Sequence, residues 1–329
     1  PGLALFYGGL VRTKNVLGTI MQSVMILSVV SLLWILFGYS LAFGPDKGGV
    51  IGGLEWVGLS GVGSEPHPVY GPTIPHQAFM LFQLMFAAIA PALITGAFAE
   101  RKRFTSVVLF AALWSVFVYV PLAHWIWGGG WLAKLGALDF AGGAVIHISS
   151  GAAALVCAIV LGKRRGYGTD YMAPHNLPMT LLGTGFLWFG WFGFNGGSAL
   201  GANGIAVSAI IATHAAAAMG AIAWCGAEWA HRGKPTVLGV ASGAVAGLAT
   251  VTPAAGYIAP MSAIAIGLVA GMTCYAAIVW KGRFGYDDSL DVVGIHGVGG
   301  VIGILATGLF ASKVVNPGGA DGLFFGNPG

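Results

Sequence analysis

The chain has 329 residues, of which only 8% are Asp, Glu, Lys or Arg while 57% are hydrophobic, and its mean hydropathy is +0.83. An ordinary soluble domain carries about 25% charged residues, so 15 basic and 11 acidic side chains cannot cover a water-soluble globule of this size. Disorder would need the reverse balance, low hydrophobicity with high charge, and what remains is an all-α polytopic membrane protein.

A hydrocarbon core about 30 Å thick needs roughly 20 apolar residues per helix. Nine stretches meet that length, at approximately 16–43, 77–99, 104–125, 140–162, 177–197, 204–230, 236–252, 259–280 and 290–312. The chain opens inside an apolar segment, Pro1 to Tyr7, without a methionine, and it ends at Gly329. A fragment of a longer protein is therefore expected, and no signal peptide can be read from it. Glycine, at 55 residues, has no three-residue period and so no collagen reading. It suits membrane helices that approach closely through small residues.

Twelve of the fifteen Lys and Arg fall in one alternate set of loops: Arg12 and Lys14, 101–103, 163–165, Arg232 and Lys234, and Lys281 and Arg283. The other set holds only Lys47, Lys134 and Lys313. By the positive-inside rule the first set is cytoplasmic, and the loops at 44–76, 126–139, 198–203, 253–258 and beyond 313 face outside. Topology thus accounts for the net charge of +4, and no nucleic acid is expected as a partner. The basic run Gly162 to Gly166 has no Walker spacing and follows no strand, which excludes a phosphate loop. Cys157, Cys225 and Cys274 lie in apolar runs and read as small buried hydrophobes with no disulfide framework.

Ionisable residues inside a span are costly and raise a functional hypothesis. His147 lies eight residues after Asp139, and His296 eight residues after Asp288. At 1.5 Å per residue each reaches about 12 Å into the membrane, from opposite faces. Both land near the midplane, about 6 Å apart in depth. Five helices separate them in order, once the truncated first segment is counted. A repeat of five helices must be inverted, and inverted repeats place the substrate site at their interface. Two unrelated core histidines would not need matched depth in inverted contexts. No third ligand lies at that depth for zinc, so no metal or other cofactor is expected. Buried imidazoles stay neutral, and each then offers one donor and one acceptor. That suits a small polar species stripped of its water.

Aromatic residues gather towards the outer ends of other helices: Phe82 and Phe86; Trp125, Trp127 and Trp131; Trp188, Trp191, Phe192 and Phe194 before Ser198. An interfacial aromatic belt explains most such residues. The sharper alternative is a cation-π cage closed by a hydroxyl, which recognises a bare cation without a carboxylate.

Taken together, Gly8 to Arg12 with Lys14 and Asn15, Phe82 to Phe86 through Ala99, Glu100 and Arg101, Ala123 and His124 with Trp127 to Gly130, Asp139 to His147, Trp191 to Ser198, and Asp291 to Gly300 resemble the ammonium transporter family (Amt/Mep, with the Rh proteins as distant relatives). The resemblance runs over nearly the whole chain and favours the bacterial and archaeal Amt branch, because the cage Trp is present. It implies an eleven-helix fold of two inverted five-helix repeats, approximately 1–162 and 177–312, plus a last helix. It also implies a single transmembrane domain over 1–329 with its ends truncated, a homotrimer in the plasma membrane with a pore in each protomer, and contact with membrane lipids. Phe86, Trp127 and Ser198, with Phe82 nearby, match the outer ammonium-binding cage. Phe86 and Phe194 match the gate, and His147 and His296 the twin histidines of the pore. Asp139 matches an acidic residue that orders the vestibule and aids selectivity, a role compatible with helix capping. Gly196 stands where many members have Ala.

The expected activity is transport: NH4+ recruited at the cage, deprotonated near the gate, and NH3 conducted past the histidines, with methylammonium as an analogue substrate. Whether the proton crosses separately divides electrogenic from neutral transport. The family's last helix and its cytoplasmic tail, which matters for regulation by PII proteins, are expected to lie beyond this sequence. The rival reading is a non-conducting ammonium sensor, which residues after Gly329 would separate from a transporter. An Rh-type gas channel is disfavoured by Trp127. No nucleophile–base pair or metal set suggests an enzyme.

Overall fold

The computed structural model describes residues 1–327, and these are mostly helical. A short helix α1 (Gly2–Leu10) opens the chain. It is followed by α2 (Thr13–Phe43), α3 (His76–Ile94), α4 (104–126), α5 (Gly143–Leu161), α6 (Leu177–Ala199), α7 (Gly204–Arg232), α8 (Val237–Val251), α9 (Pro260–Phe284) and α10 (Val293–Phe310). All nine predicted stretches are helices, and eight of the described helices are long and apolar enough to cross a membrane, with α8 shorter. Among the described residues, strand is confined to two small hairpins between α2 and α3, Asp46–Lys47 with Ile51–Gly52 and Pro66–His67 with Gly71–Pro75.

Helix ends follow local chemistry. Asn176, Asn203 and Thr236 accept the N–H of the residue three positions on, from Met179, Ala206 and Gly239 respectively, which satisfies donors left free at a helix start. Three boundary shifts have a visible backbone cause. The stretch 77–99 stops being helical at Ile94, because 95–101 is a run of turns with Glu100 at φ 69°. The stretch 140–162 begins at Gly143, because Gly142 adopts φ 118°, which a side chain would resist. The last begins at Val293, after Asp291 at φ 64°.

Five widened (π) turns interrupt the spans, at Trp34–Gly38, Ser115–Tyr119, Gly143–Ile148, Phe192–Gly196 and Val293–Gly297. Each re-aims the side chains that follow it, and such turns recur at functional sites. Two helix triplets, α2–α3–α4 and α7–α8–α9, pack within themselves, while α1 packs on α6 and α5 on α10. The widened turn of α5 lies against the regular part of α10, and that of α10 against the regular part of α5. A Cβ on Gly151 would lie 2.2 Å from the Gly297 Cα, so the α5–α10 crossing needs glycine. Outward faces carry Leu17, Leu32, Phe117, Val160, Phe189 and Leu305, all exposed, as expected where lipid replaces water.

Candidate functional site

The widened turns carry His147, Phe194 and His296, so the site is built where the helices depart from regular geometry. Both histidines are buried. Their Nδ1 atoms lie 3.1 Å apart, and the rings stack with centroids 5.1 Å apart. The matched depths read from spacing therefore become direct contact. One ring must present Nδ1–H and the other a bare Nδ1, so the two hold complementary tautomers. His147 Nε2 has no hydrogen-bond partner among the described residues.

An aromatic column leads away from the pair. His147 stacks on Trp191 at 5.7 Å and on Phe194 at 6.0 Å, and those two rings stack at 4.9 Å. Phe194 meets Phe86 edge-on at 4.7 Å, Phe86 meets Phe82 edge-on at 4.7 Å, and Trp127 lies 5.8 Å from Phe86. Edge-to-face pairs of this kind contribute about 0.5–1.5 kcal/mol each beyond area burial. A Cβ on Gly197 would sit 2.8 Å from the Phe82 ring, which puts the Ser198 backbone beside it. The Ser198 hydroxyl donates to the Phe194 carbonyl at 2.9 Å, leaving its oxygen lone pairs for another donor. Phe82, Phe86, Trp127, Phe194, His147 and His296 thus form one continuous set, with Ser198 at its edge.

Asp139 stands at the head of α5. Its Oδ1 accepts the N–H groups of Gly142 and Gly143, and its Oδ2 those of Ala144 and Val145, at 2.6–3.2 Å. Its carbonyl accepts Trp127 Nε1–H at 2.8 Å. One residue therefore caps the histidine helix and fixes the Trp127 indole. Burial pushes its carboxyl above the usual carboxylate range, against the four N–H bonds, which favour the charged form. Asp288, at the head of α10, is its counterpart with less support: Oδ2 accepts Val293 N–H at 2.7 Å, and Oδ1 is unpartnered among the described residues. Burial, then repulsion from Asp291, pushes Asp288 up to about 6.

Several basic residues assigned to topology also close buried ion pairs. Glu100 accepts Arg12 N and Nε at 2.8 and 2.9 Å and Asn15 Nδ2 at 2.9 Å. Asp287 accepts Arg164 through backbone, Nε and Nη2 at 2.8–2.9 Å. Burial opposes ionisation in both carboxyls, yet the combined bonds hold both below the usual range. Trp191 and His124 stood inside the quoted motifs with no role assigned. For Trp191 the signal was its spacing of three from Phe194, which shares a helix face.

The family model described as the ammonium transporter family matches residues 1–329. The chain is 56% identical to the ammonium transporter of Bacillus subtilis (strain 168) over 328 residues, covering 99% of this chain and 80% of that one. Its fold is similar to the crystal structure of Candida albicans Mep2, with TM-score 0.93 and 38% identity over 99% of this chain and 74% of that one. It is also similar to a solved sensor Amt protein, with TM-score 0.87 and 31% identity over 97% of this chain and 81% of that one.

Proposed function

The chain belongs to the ammonium transporter family, and we propose that it moves ammonium by separating NH4+ into NH3 and a proton at the aromatic column. It is a multi-pass membrane protein with an ammonium transporter function. The face with the basic loops is cytoplasmic, so the cage opens outward. NH4+ settles among Phe86, Trp127 and Ser198, with Phe82 beside them. Cation-π attraction and the hydroxyl lone pairs replace part of its water shell. The full ion is too costly to carry between Phe86 and Phe194 into an apolar lumen, so it gives up a proton there. NH3 passes the gate and is handed along the ring nitrogens of His147 and His296. The proton crosses separately through the hydrogen-bonded pair. K+ is refused because it has no proton to release and no hydrogen bond to donate.

The observation that carries this reading is the His147–His296 contact, Nδ1 to Nδ1 at 3.1 Å, at the foot of the column. The packing of α1 on α6 and α5 on α10, with two internally packed triplets, supports two inverted repeats at 1–162 and 177–312 within one transmembrane domain. The homotrimer and the PII contact at the basic face belong to the same proposal. The test is radiolabelled methylammonium uptake into proteoliposomes, wild type against His147→Ala: loss of selective uptake supports it, and unchanged uptake with intact K+ exclusion overturns it. Likeness to a sensor Amt protein favours one rival, a domain that binds ammonium without conducting, which predicts binding but no uptake.

A further inference from the structure

His124 occupies an unusual position in α4. It is fully buried, and both ring nitrogens face oxygen: Nδ1 the Ala42 carbonyl at 2.8 Å, and Nε2 the Asp46 Oδ1 at 3.0 Å. A carbonyl and a carboxylate only accept hydrogen bonds, and a neutral imidazole has one N–H. Both contacts are made only by a ring protonated on both nitrogens. Asp46 stays ionised opposite it, held well below the usual carboxylate range first by Lys134, at 2.5 Å, and then by His124 itself.

The ring lies directly under the turn that carries the cage indole. Its own carbonyl accepts the N–H groups of Gly128 and Gly130, both at 3.0 Å, and the Trp127 N–H bonds to Ala123 one residue back. A Cβ on Gly128 would come 2.6 Å from His124 Nδ1 and 2.1 Å from the Ala42 carbonyl, so turn, ring and α2 terminus are in contact. The hairpin bearing Asp46 is tied to the same turn by Trp131 N–H to Gly49 at 2.9 Å and Trp125 Nε1–H to Val50 at 2.8 Å.

We propose that His124, clasped between the Ala42 carbonyl and Asp46, is the positioning residue for the Trp127 arm of the cage, so that substrate affinity weakens when either contact is lost. The proposal rests on the cage reading above. Several titratable groups on the neighbouring elements are engaged elsewhere. Lys47 pairs with Glu55 at 3.1 Å, Tyr39 with His76 at 2.5 Å, Tyr70 with the Gly128 carbonyl at 3.3 Å, Asp139 with four N–H groups, and His147 with His296. Among the described residues, Asp46 is the charged group in contact with the ring, and Lys134 pairs with Asp46.

The experiment measures apparent KM and Vmax for methylammonium uptake across pH, in wild type, His124→Gln, Trp127→Leu and the double variant. Comparing variants at one pH cancels the ionisation of the substrate. Gln cannot hold the Ala42 carbonyl and Asp46 together as the ring does, so His124→Gln should raise KM roughly tenfold, about 1.4 kcal/mol. Vmax should stay within about twofold, since the lesion is one of binding rather than of conduction. In the Trp127→Leu background the same change should add nothing. An unchanged KM for His124→Gln beside a raised KM for Trp127→Leu overturns the positioning role, as does full additivity. An unchanged KM for Trp127→Leu overturns the cage itself. If His124→Gln fails to fold, ¹⁵N-histidine NMR of the wild-type protein in bilayers, against Asp46→Asn, decides the same point: a doubly protonated buried ring lost in Asp46→Asn supports the proposal, and a neutral ring in wild type overturns it.

Discussion

His147 and His296 come from helices separated by 149 positions in the chain and meet through their Nδ1 atoms at 3.1 Å. Neither ring can keep that contact without the other holding the opposite tautomer. The pair is therefore one unit sharing a single Nδ1 proton, with one Nε2 left as a donor and the other as an acceptor. Replacing His147 with Ala breaks the unit and leaves His296 without its partner. Selectivity should fall: K+ should compete with methylammonium uptake at least roughly tenfold better, a change of about 1.4 kcal/mol in discrimination. Competition assays in proteoliposomes read this directly, and unchanged K+ exclusion would show that the pair does not discriminate.

Trp127 is held by Asp139 from below and sits 5.8 Å from Phe86. Replacing it with Leu keeps an apolar surface but removes the ring face and its attraction for a cation. A loss of about 1 kcal/mol, within the usual cation-π range, should raise the apparent KM for methylammonium roughly fivefold. Uptake kinetics over a concentration series check this.

Gly151 allows α5 and α10 to cross at the histidines, since a Cβ there would lie 2.2 Å from the Gly297 Cα. Gly151→Val should separate the two helices and cost about 1–3 kcal/mol in overpacking. The expected result is a lower thermal midpoint in detergent together with lost uptake. An unchanged midpoint would mean that the crossing is not tightly constrained.

Asp288 gives the fold a pH signature. Its carboxyl stands at about 6, raised by burial and then by Asp291, while an unfolded Asp titrates at about 3.9. The folded state binds this proton more tightly, so the contribution is fully present below about pH 3.9 and is lost as pH rises through about 6. The span corresponds to about 3 kcal/mol at most. Asp288→Asn removes this dependence, so its thermal midpoint relative to wild type should climb between about pH 4 and pH 7. A constant difference across that window would contradict the assignment.

The helices were legible in the sequence because lipid imposes one rule on every span, about 20 apolar residues with satisfied backbone groups. The histidine pair was legible from two equal spacings, Asp139 to His147 and Asp288 to His296. The quoted motifs supplied Phe82, Phe86, Trp127, Phe194 and Ser198, and the structure gathers them around one column, with Ser198 at its edge. The end of α3 was not legible, because Thr95 to Ala99 stay apolar or small while turning. Nor were the widened turns, which depend on packing between helices. Pairings such as His124 with Asp46, 78 positions apart, and Arg12 with Glu100, 88 apart, have no local signal. The basic residues showed this most clearly: counting them yields an orientation, but only the fold reveals that Arg12 and Arg164 also close buried carboxylate pairs.

The central claim is that ammonium crosses as NH3 with its proton carried separately through His147 and His296. Charge movement on a solid-supported membrane tests it most directly. Proteoliposomes of the full-length protein, pulsed with ammonium, should give a current that saturates with concentration, is absent for K+ and is lost in His147→Ala. An ammonium pulse that yields no current from protein able to bind methylammonium would contradict the account, leaving neutral gas conduction or a sensor.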